Sequence, residues 1–382
     1  MKLALIGAGK IGRSFIGQLF SCSGYEVVFI DKDRQIIDAL NNARAYKVFI
    51  CDTNPETIVV DNVRGVNADD LPSVMKEIAS ADVLAVSIGK AGLHHIVPVL
   101  SQGLLLREKQ TPGRALDIIL AENMRNADAY VYKELSETLP SGYPLDERVG
   151  LVETSIGKMV PLVATCNEDI LSVSAEAYNT LIVGKQAFKN PVPHVKGLSA
   201  IENMKAWVDM KLFIHNFGHA TVAYMGFLLH PEYIYIWEVL EDIEVLNFAK
   251  AAMQQSAAVL HRLYPDVFTD IYLNKHIDDL LRRFANRSLG DTIFRVGCDL
   301  YRKLSPDDRI VTPLMTALLH ALPNDKITQV LMAALKFKAV GPDGKMFSSD
   351  IAFHKELNEK GRNIMFRQVC GLSDFVYLRK SR

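Results

Sequence analysis

The segment Lys211–Gly226, KLFIHNFGHATVAYMG, places a lysine, an asparagine and two histidines in a helix-forming stretch otherwise rich in Phe, Leu, Ile and Val. At about 100° per residue, Lys211, His215, His219 and Asn216 share one arc, interrupted by Leu212, while Phe213, Ile214 and Phe217 lie opposite. Solvated helix faces are normally built from Glu, Lys, Gln and Arg, so this arc has the wrong composition for one. A lysine whose pKa burial and neighbours lower toward neutrality can accept a proton from a hydroxyl. Neutral amides aimed at the same oxygen stabilise the negative charge that grows there. The chemistry fits hydride transfer between a secondary alcohol and a nicotinamide. Lys211 is then the base, Asn216 and Asn123 are oxyanion donors, and His219 orients the substrate.

Each of these residues has a plainer reading. His215 is better taken as a core histidine, and Asn123 on its own could cap the helix expected over MRNADAYVYKEL. His215 and His219 are four residues apart, but no H-E-x-x-H pattern or nearby carboxylate cluster accompanies them, so no metal is expected.

The N-terminal run KLALIGAGKIG supplies the partner for that chemistry. Gly7-Ala8-Gly9-Lys10-Ile11-Gly12 matches G-x-G-x-x-G and sits between an apolar β-type run ending at Ile6 and a helical pattern. Gly7 permits the tight turn, Gly9 leaves no Cβ between backbone and pyrophosphate, and Gly12 lets helix and strand pack closely. The helix N-terminus favours phosphate charge. Asp31 ends the second apolar run, YEVVFID, about 20 residues further on, where an acid accepts hydrogen bonds from the adenosine ribose. That acid repels a 2′-phosphate and favours NAD over NADP, although Lys32 stands beside it. The alternatives are a glycine turn that binds nothing and a solvated acid at a strand end. The later runs ending in SIG (Ser87 to Gly89) and AEN (Ala121 to Asn123) should line the nicotinamide end, because ligands lie beyond the carboxyl ends of such strands.

These elements require a particular scaffold. Short β-branched runs alternate with helical stretches at Lys10 to Ser23, Arg34 to Asn42, Lys90 to Gln102 and Met124 to Leu139, the pattern of a parallel sheet with crossover helices. YKVFICD, TIVVDN and RGVNADD predict extra strands or a small antiparallel excursion. RVGLVETSIGKMVPLVAT, DILSVSAEAY and TLIVGK add strand-like sequence to about Lys185. KNPVPH (Lys189 to His194) reads as a linker, and helical patterns dominate beyond it. The expectation is an α/β chain with a Rossmann-type doubly wound domain over 1–190 and an all-helical domain over 191–382. GPDGK (Gly341 to Lys345) predicts a turn.

The 382 residues are 49% hydrophobic and 23% charged, enough for two buried cores. A net charge of -1 supplies no field for gripping nucleic acid or an anionic membrane. Cys22, Cys51, Cys166, Cys298 and Cys370 form no C-x-x-C pair and read as reduced thiols. Glycines interrupt the N-terminal apolar run, and no run of about 18 apolar residues occurs, which places the protein in the cytosol. A small-molecule substrate is expected, handled by a monomer or small homo-oligomer.

GAGKIGRSFIG, ILAENM (Ile119 to Met124), KLFIHNFGHATVAYMG and RKLSPDDRIVTPL (Arg302 to Leu314) together resemble the polyol-specific long-chain dehydrogenases, and among them the mannitol-1-phosphate 5-dehydrogenases. The likeness spans nearly the whole chain, most closely to about Leu314, and the K-x-x-x-x-N-x-x-H pattern falls on Lys211, Asn216 and His219. It implies a Rossmann domain followed by a helical domain, with the active site between them. It also implies NAD-dependent, metal-independent interconversion of mannitol 1-phosphate and fructose 6-phosphate, with Lys211 as acid/base and Asn216, His219 and Asn123 around the reacting oxygen. The dinucleotide would lie against Ile6, Gly7, Ala8, Gly9, Lys10, Ile11, Gly12, Asp31 and Gly89. Arg302, Lys303 and Arg309 are the candidates for a substrate phosphate, with a solvated helix face as the alternative. The chain departs from the pattern where the resembled enzymes usually read D-R-I-V-P and it has Gly157-Lys158-Met159-Val160-Pro161. Ser14 also stands where a glycine is usual.

Two other readings remain. A 3-hydroxyacid or 6-phosphogluconate type dehydrogenase shares the two-domain plan, but its lysine and asparagine are one helical turn apart rather than five residues. An NAD-binding regulator without catalysis would gain nothing from a costly buried lysine.

Overall fold

The computed structural model describes residues 1–52, 54–161 and 169–372. Cys166 and the end of the expected strand-like run at 162–165 lie outside them. The chain divides into two units, Met1–Val208 and Asp209–Arg382.

Among its described residues the first unit contains eleven strands: β1 (Lys2–Ile6), β2 (Glu26–Asp31), β3 (Tyr46–Ile50), β4 (Glu56–Val60), β5 (Val63–Asn67), β6 (Val83–Val86), β7 (Leu116–Leu120), β8 (Val149–Ile156), β9 (Val173–Ala175), β10 (Leu181–Gly184) and β11 (Leu198–Ile201). Eight form one sheet in the order β11-β10-β8-β7-β6-β1-β2-β5. Every neighbouring pair in it is parallel except β8 with β10. The order reverses between β1 and β6, which makes the gap beyond their carboxyl ends the topological switch point. Both faces of the sheet are buried. Leu3 and Leu5 of β1 join one core with Phe15 and Leu19, whereas Ala4 and Ile6 join the other with Val74 and Leu93. That two-sided burial explains why these strands read as continuous apolar runs rather than alternating ones.

The predicted excursion resolves into two parts. β3 and β4 pair antiparallel, and β3 pairs in parallel with β9 to form a separate three-stranded sheet. β5 instead extends the main sheet beside β2. One further strand, β11, follows the prolines of KNPVPH and pairs with β10.

The second unit is built of helices. Its long members are Phe217–Leu229, Ile243–Leu263, Asp270–Phe284 and Ser348–Lys360. A long helical pattern from Pro231 onward breaks into Ile236–Val239 and Ile243–Leu263, where the Asp242 side chain accepts from the backbone amides of Glu244 and Val245. Gly218 and Gly226 let helix Phe217–Leu229 approach its neighbours. A Cβ at Gly218 would lie 2.5 Å from Met253 Sδ, and one at Gly226 would lie 2.4 Å from a methyl of Val239. The GPDGK segment is a turn, with the Gly341 amide donating to the Lys345 carbonyl at 2.8 Å. Among the described residues, no helix is long and apolar enough to cross a membrane.

Candidate active site

The three glycines of the first loop are demanded by different things. Gly7 has φ +108°, and a Cβ there would lie 2.1 Å from the Ser87 carbonyl oxygen. A Cβ on Gly12 would lie 2.1 Å from the Gly7 carbonyl oxygen. Both contacts are far inside van der Waals distance, so the fold itself excludes side chains at these positions. A Cβ on Gly9 would meet nothing within 4 Å. The fold does not need a glycine there, whereas a pyrophosphate lying against the backbone would.

Around this loop Ile6 and Ala8 are buried, Ile11 packs against the core, and Lys10 is exposed with its amine 3.0 Å from the Pro161 carbonyl. Asp31 Oδ2 accepts from the Ala8 amide at 2.7 Å, which ties the end of β2 to the glycine turn. Its Oδ1 accepts from Asp33 N at 3.0 Å. The chain then enters a π turn, Gly12–Gly17, rather than an α-helix. Arg13 on that turn donates to the Ala8 carbonyl at 2.5 Å, and Ser14 is fully buried with its hydroxyl unpartnered. Lys158, the other departure from the resembled pattern, is buried, with its amine 3.0 Å from Asn179 Oδ1 and over the Phe15 ring.

On the other side of the switch point Gly89 has φ +81°. The amides of Ile88 and Gly89 both donate to Glu122 Oε1, at 2.7 and 3.0 Å. Glu122 is 5% exposed, and burial pushes its carboxyl pKa up against the opposing pull of those two amides. Sequence reasoning quoted AEN for its asparagine and overlooked the glutamate. An acid two residues past the apolar run Ile118–Leu120 was the available signal. Asn123 follows it and is exposed. The next helix begins only at Ala127, with Asn126 at its N-cap, so Asn123 does not cap it.

In the helical unit the chemistry-bearing residues sit on a second π turn, Lys211–Asn216, which runs on into Phe217–Leu229. Hydrogen bonding from i to i+5 widens the turn, so Lys211 and Asn216 lie closer to a common line than the roughly 140° that separates them in a regular α-helix. The arc drawn at about 100° per residue therefore misjudged their relation. The Ser256 hydroxyl reaches in from helix Ile243–Leu263 to donate to the Phe213 carbonyl at 2.6 Å, holding the widened turn from outside.

Burial, and then repulsion from Arg309, lowers the Lys211 pKa from 10.5 to about 8. His215 is buried with its ring edge-on to Phe284 at 5.4 Å. Burial, followed by the positive groups Arg283, His219 and Lys211, holds it neutral well below the usual histidine range. His219 stacks flat on Phe284, with centroids 4.5 Å apart and planes 7° apart. Its Nε2 lies 3.2 Å from Asp291 Oδ2 without the alignment of a hydrogen bond. Burial lowers its pKa, and Asp291 only partly opposes this.

The three basic candidates separate. Arg302 donates to Asp299 at 2.5 Å and to Asp308 at 3.3 Å, and Arg309 Nε donates to Asp308 at 2.7 Å. Lys303 is 3% exposed, and its amine donates to the Val296 carbonyl at 2.6 Å. Burial, with Arg309 next, lowers its pKa to about 7.

A doubly wound sheet with its glycine turn at the switch point defines the class of dinucleotide-binding proteins. Family models narrow the class. One described as mannitol dehydrogenase Rossmann domain matches residues 1–197, and one described as mannitol dehydrogenase C-terminal domain matches residues 203–363. The chain belongs to the mannitol dehydrogenase family. Among solved structures it is similar to a Pseudomonas fluorescens mannitol 2-dehydrogenase in ternary complex with NAD and D-mannitol. That match has 15% identity and a TM-score of 0.68, covering 100% of this chain and 85% of that one. A 2-dehydropantoate 2-reductase from Geobacter metallireducens GS-15 matches at 15% identity and a TM-score of 0.50, covering 88% of this chain and 99% of that one. At such identities the likeness concerns the fold.

Proposed function

We propose that the chain interconverts a polyol phosphate and a keto-sugar phosphate with NAD, the pair being mannitol 1-phosphate and fructose 6-phosphate, and that Lys211 is the acid/base. The observation that carries this reading is that Lys211 and Asn216 share one π turn, with burial lowering the lysine's pKa to about 8. The open space at Gly9 and the acid at Asp31 suit a dinucleotide lacking a 2′-phosphate. When bound, NAD supplies the hydride acceptor.

The chain's own residues handle the proton and the oxygen. Lys211 takes the hydroxyl proton during oxidation and returns it during reduction. Asn216 and Asn123 donate to the oxygen as its charge grows, and His219 holds the substrate's orientation. Arg302 and Arg309 are the groups proposed for the phosphate, because a guanidinium can take phosphate oxygens bidentately. Lys303 supports that segment from beneath, through Val296.

The second reading is a dehydrogenase of an unphosphorylated polyol, favoured by the mannitol 2-dehydrogenase whose fold this chain shares. An NADH oxidation screen against fructose 6-phosphate, fructose, related keto-sugars and 2-keto or 3-keto acids separates the possibilities. Turnover of fructose 6-phosphate far above fructose supports the proposal, and the reverse order favours the second reading. Turnover of keto acids alone, or NADH binding with no turnover at all, overturns both.

A further inference from the structure

Asp291 has no part in the chemistry assigned above, yet it is built into the same cluster. It is 5% exposed, sits just before helix Ile293–Gly297, and is held by an ion pair to Arg295 and by the bond from the Ile236 amide to its own carbonyl. Its remaining oxygen faces His219 Nε2 at 3.2 Å, while Phe284 stacks on the imidazole face and His215 stands beside it, centroid to centroid 6.4 Å. The ring is thus held on its face, with one nitrogen set against the carboxylate.

We infer that Asp291 is a positioning residue for the reaction: its carboxylate fixes His219 as the Nε2–H tautomer and so presents a bare Nδ1 that accepts a hydrogen bond from a substrate hydroxyl. An ionised carboxylate only accepts, so the nitrogen facing it must carry the proton, and the other nitrogen is left with its lone pair. The off-axis contact tightens in the substrate complex, as such bonds commonly do. The inference rests on the reading that His219 orients the substrate.

The test joins spectroscopy with kinetics on the full chain. In protein labelled with ¹⁵N in its histidine rings, with the His219 signals assigned by loss in His219→Gln, wild type shows a protonated Nε2 and a bare Nδ1, and Asp291→Asn shifts the balance between tautomers. Asp291→Asn raises KM for the polyol phosphate about tenfold with a smaller change in kcat and none in NADH affinity, the loss of a charge-assisted partner. Asp291→Glu restores part of the loss. Arg295→Met, which removes the other partner of Asp291, has a smaller effect. A wild-type His219 protonated at Nδ1, an Asp291→Asn enzyme with wild-type KM, or an Arg295→Met enzyme that matches Asp291→Asn would overturn the inference. A normal KM in His219→Gln would instead sink the substrate-orienting role of His219, and the tautomer measurement would still judge Asp291.

Discussion

Replacing Lys211 with methionine removes the amine while keeping most of the apolar stem. With its pKa at about 8 rather than 10.5, about one amine in ten is neutral at pH 7, against about one in three thousand for an unperturbed lysine. The lowered pKa therefore supplies about 300-fold more of the competent base at neutral pH. The sign of the pH dependence follows. Oxidation needs the neutral amine, so kcat/KM for the polyol phosphate climbs about tenfold per pH unit below pH 8 and levels off above it. Reduction needs the ammonium and falls as pH rises through the same point. Steady-state rates in both directions from pH 6 to 9.5, with NADH fluorescence for binding, form the assay. Lys211→Met lowers kcat by about 100-fold or more and leaves NADH affinity unchanged. Arg309→Leu, which removes the second cause of the lowered pKa, moves the inflection to higher pH. A Lys211→Met enzyme within a few-fold of wild type, or profiles flat from pH 6 to 9.5, would refute the assignment.

Three further outcomes are expected. Gly9→Ala leaves the melting temperature unchanged, since its Cβ meets nothing, and weakens NADH binding more than tenfold, whereas Gly12→Ala lowers the melting temperature itself because its Cβ falls on the Gly7 carbonyl. Asp31→Ala lets NADP compete, seen as a fall of about tenfold or more in the NAD to NADP ratio of kcat/KM, and an unchanged ratio would mean the acid does not meet the ribose. Glu122→Leu strands the amides of Ile88 and Gly89 at about 1–3 kcal/mol each, read as a lower denaturation midpoint and weaker NADH binding.

Much of the first unit was legible because two-sided burial leaves a simple trace: β1, β2, β6 and β7 have unbroken apolar runs of three residues or more, and the glycine turn follows the first of them. The sheet's full extent was harder to read. β4 and β5 are neighbouring five-residue strands, yet β5 joins the main sheet and β4 does not, because pairing is settled by long-range contacts rather than local preference. β11 was hidden behind prolines that suggest a linker. In the second unit the residue types of the lysine segment were informative and their angular relation was not. A π turn leaves no distinct composition, so an α-helical period was assumed for Lys211–Asn216. The basic trio shows the same limit: sequence placed Arg302, Lys303 and Arg309 close together, but only the fold reveals that one of the three turns its amine inward to Val296.

The widened turn at Lys211–Asn216 makes the chain's chemistry more fragile than its architecture. Tightening it to a regular α-helix with no residue lost would turn Lys211 and Asn216 about 140° apart while leaving the rest of the unit in place. Such a chain would keep its glycine turn and its grip on the dinucleotide while losing turnover, so loss of activity in descendants of this sequence could arise from a lost phase rather than from any changed side chain.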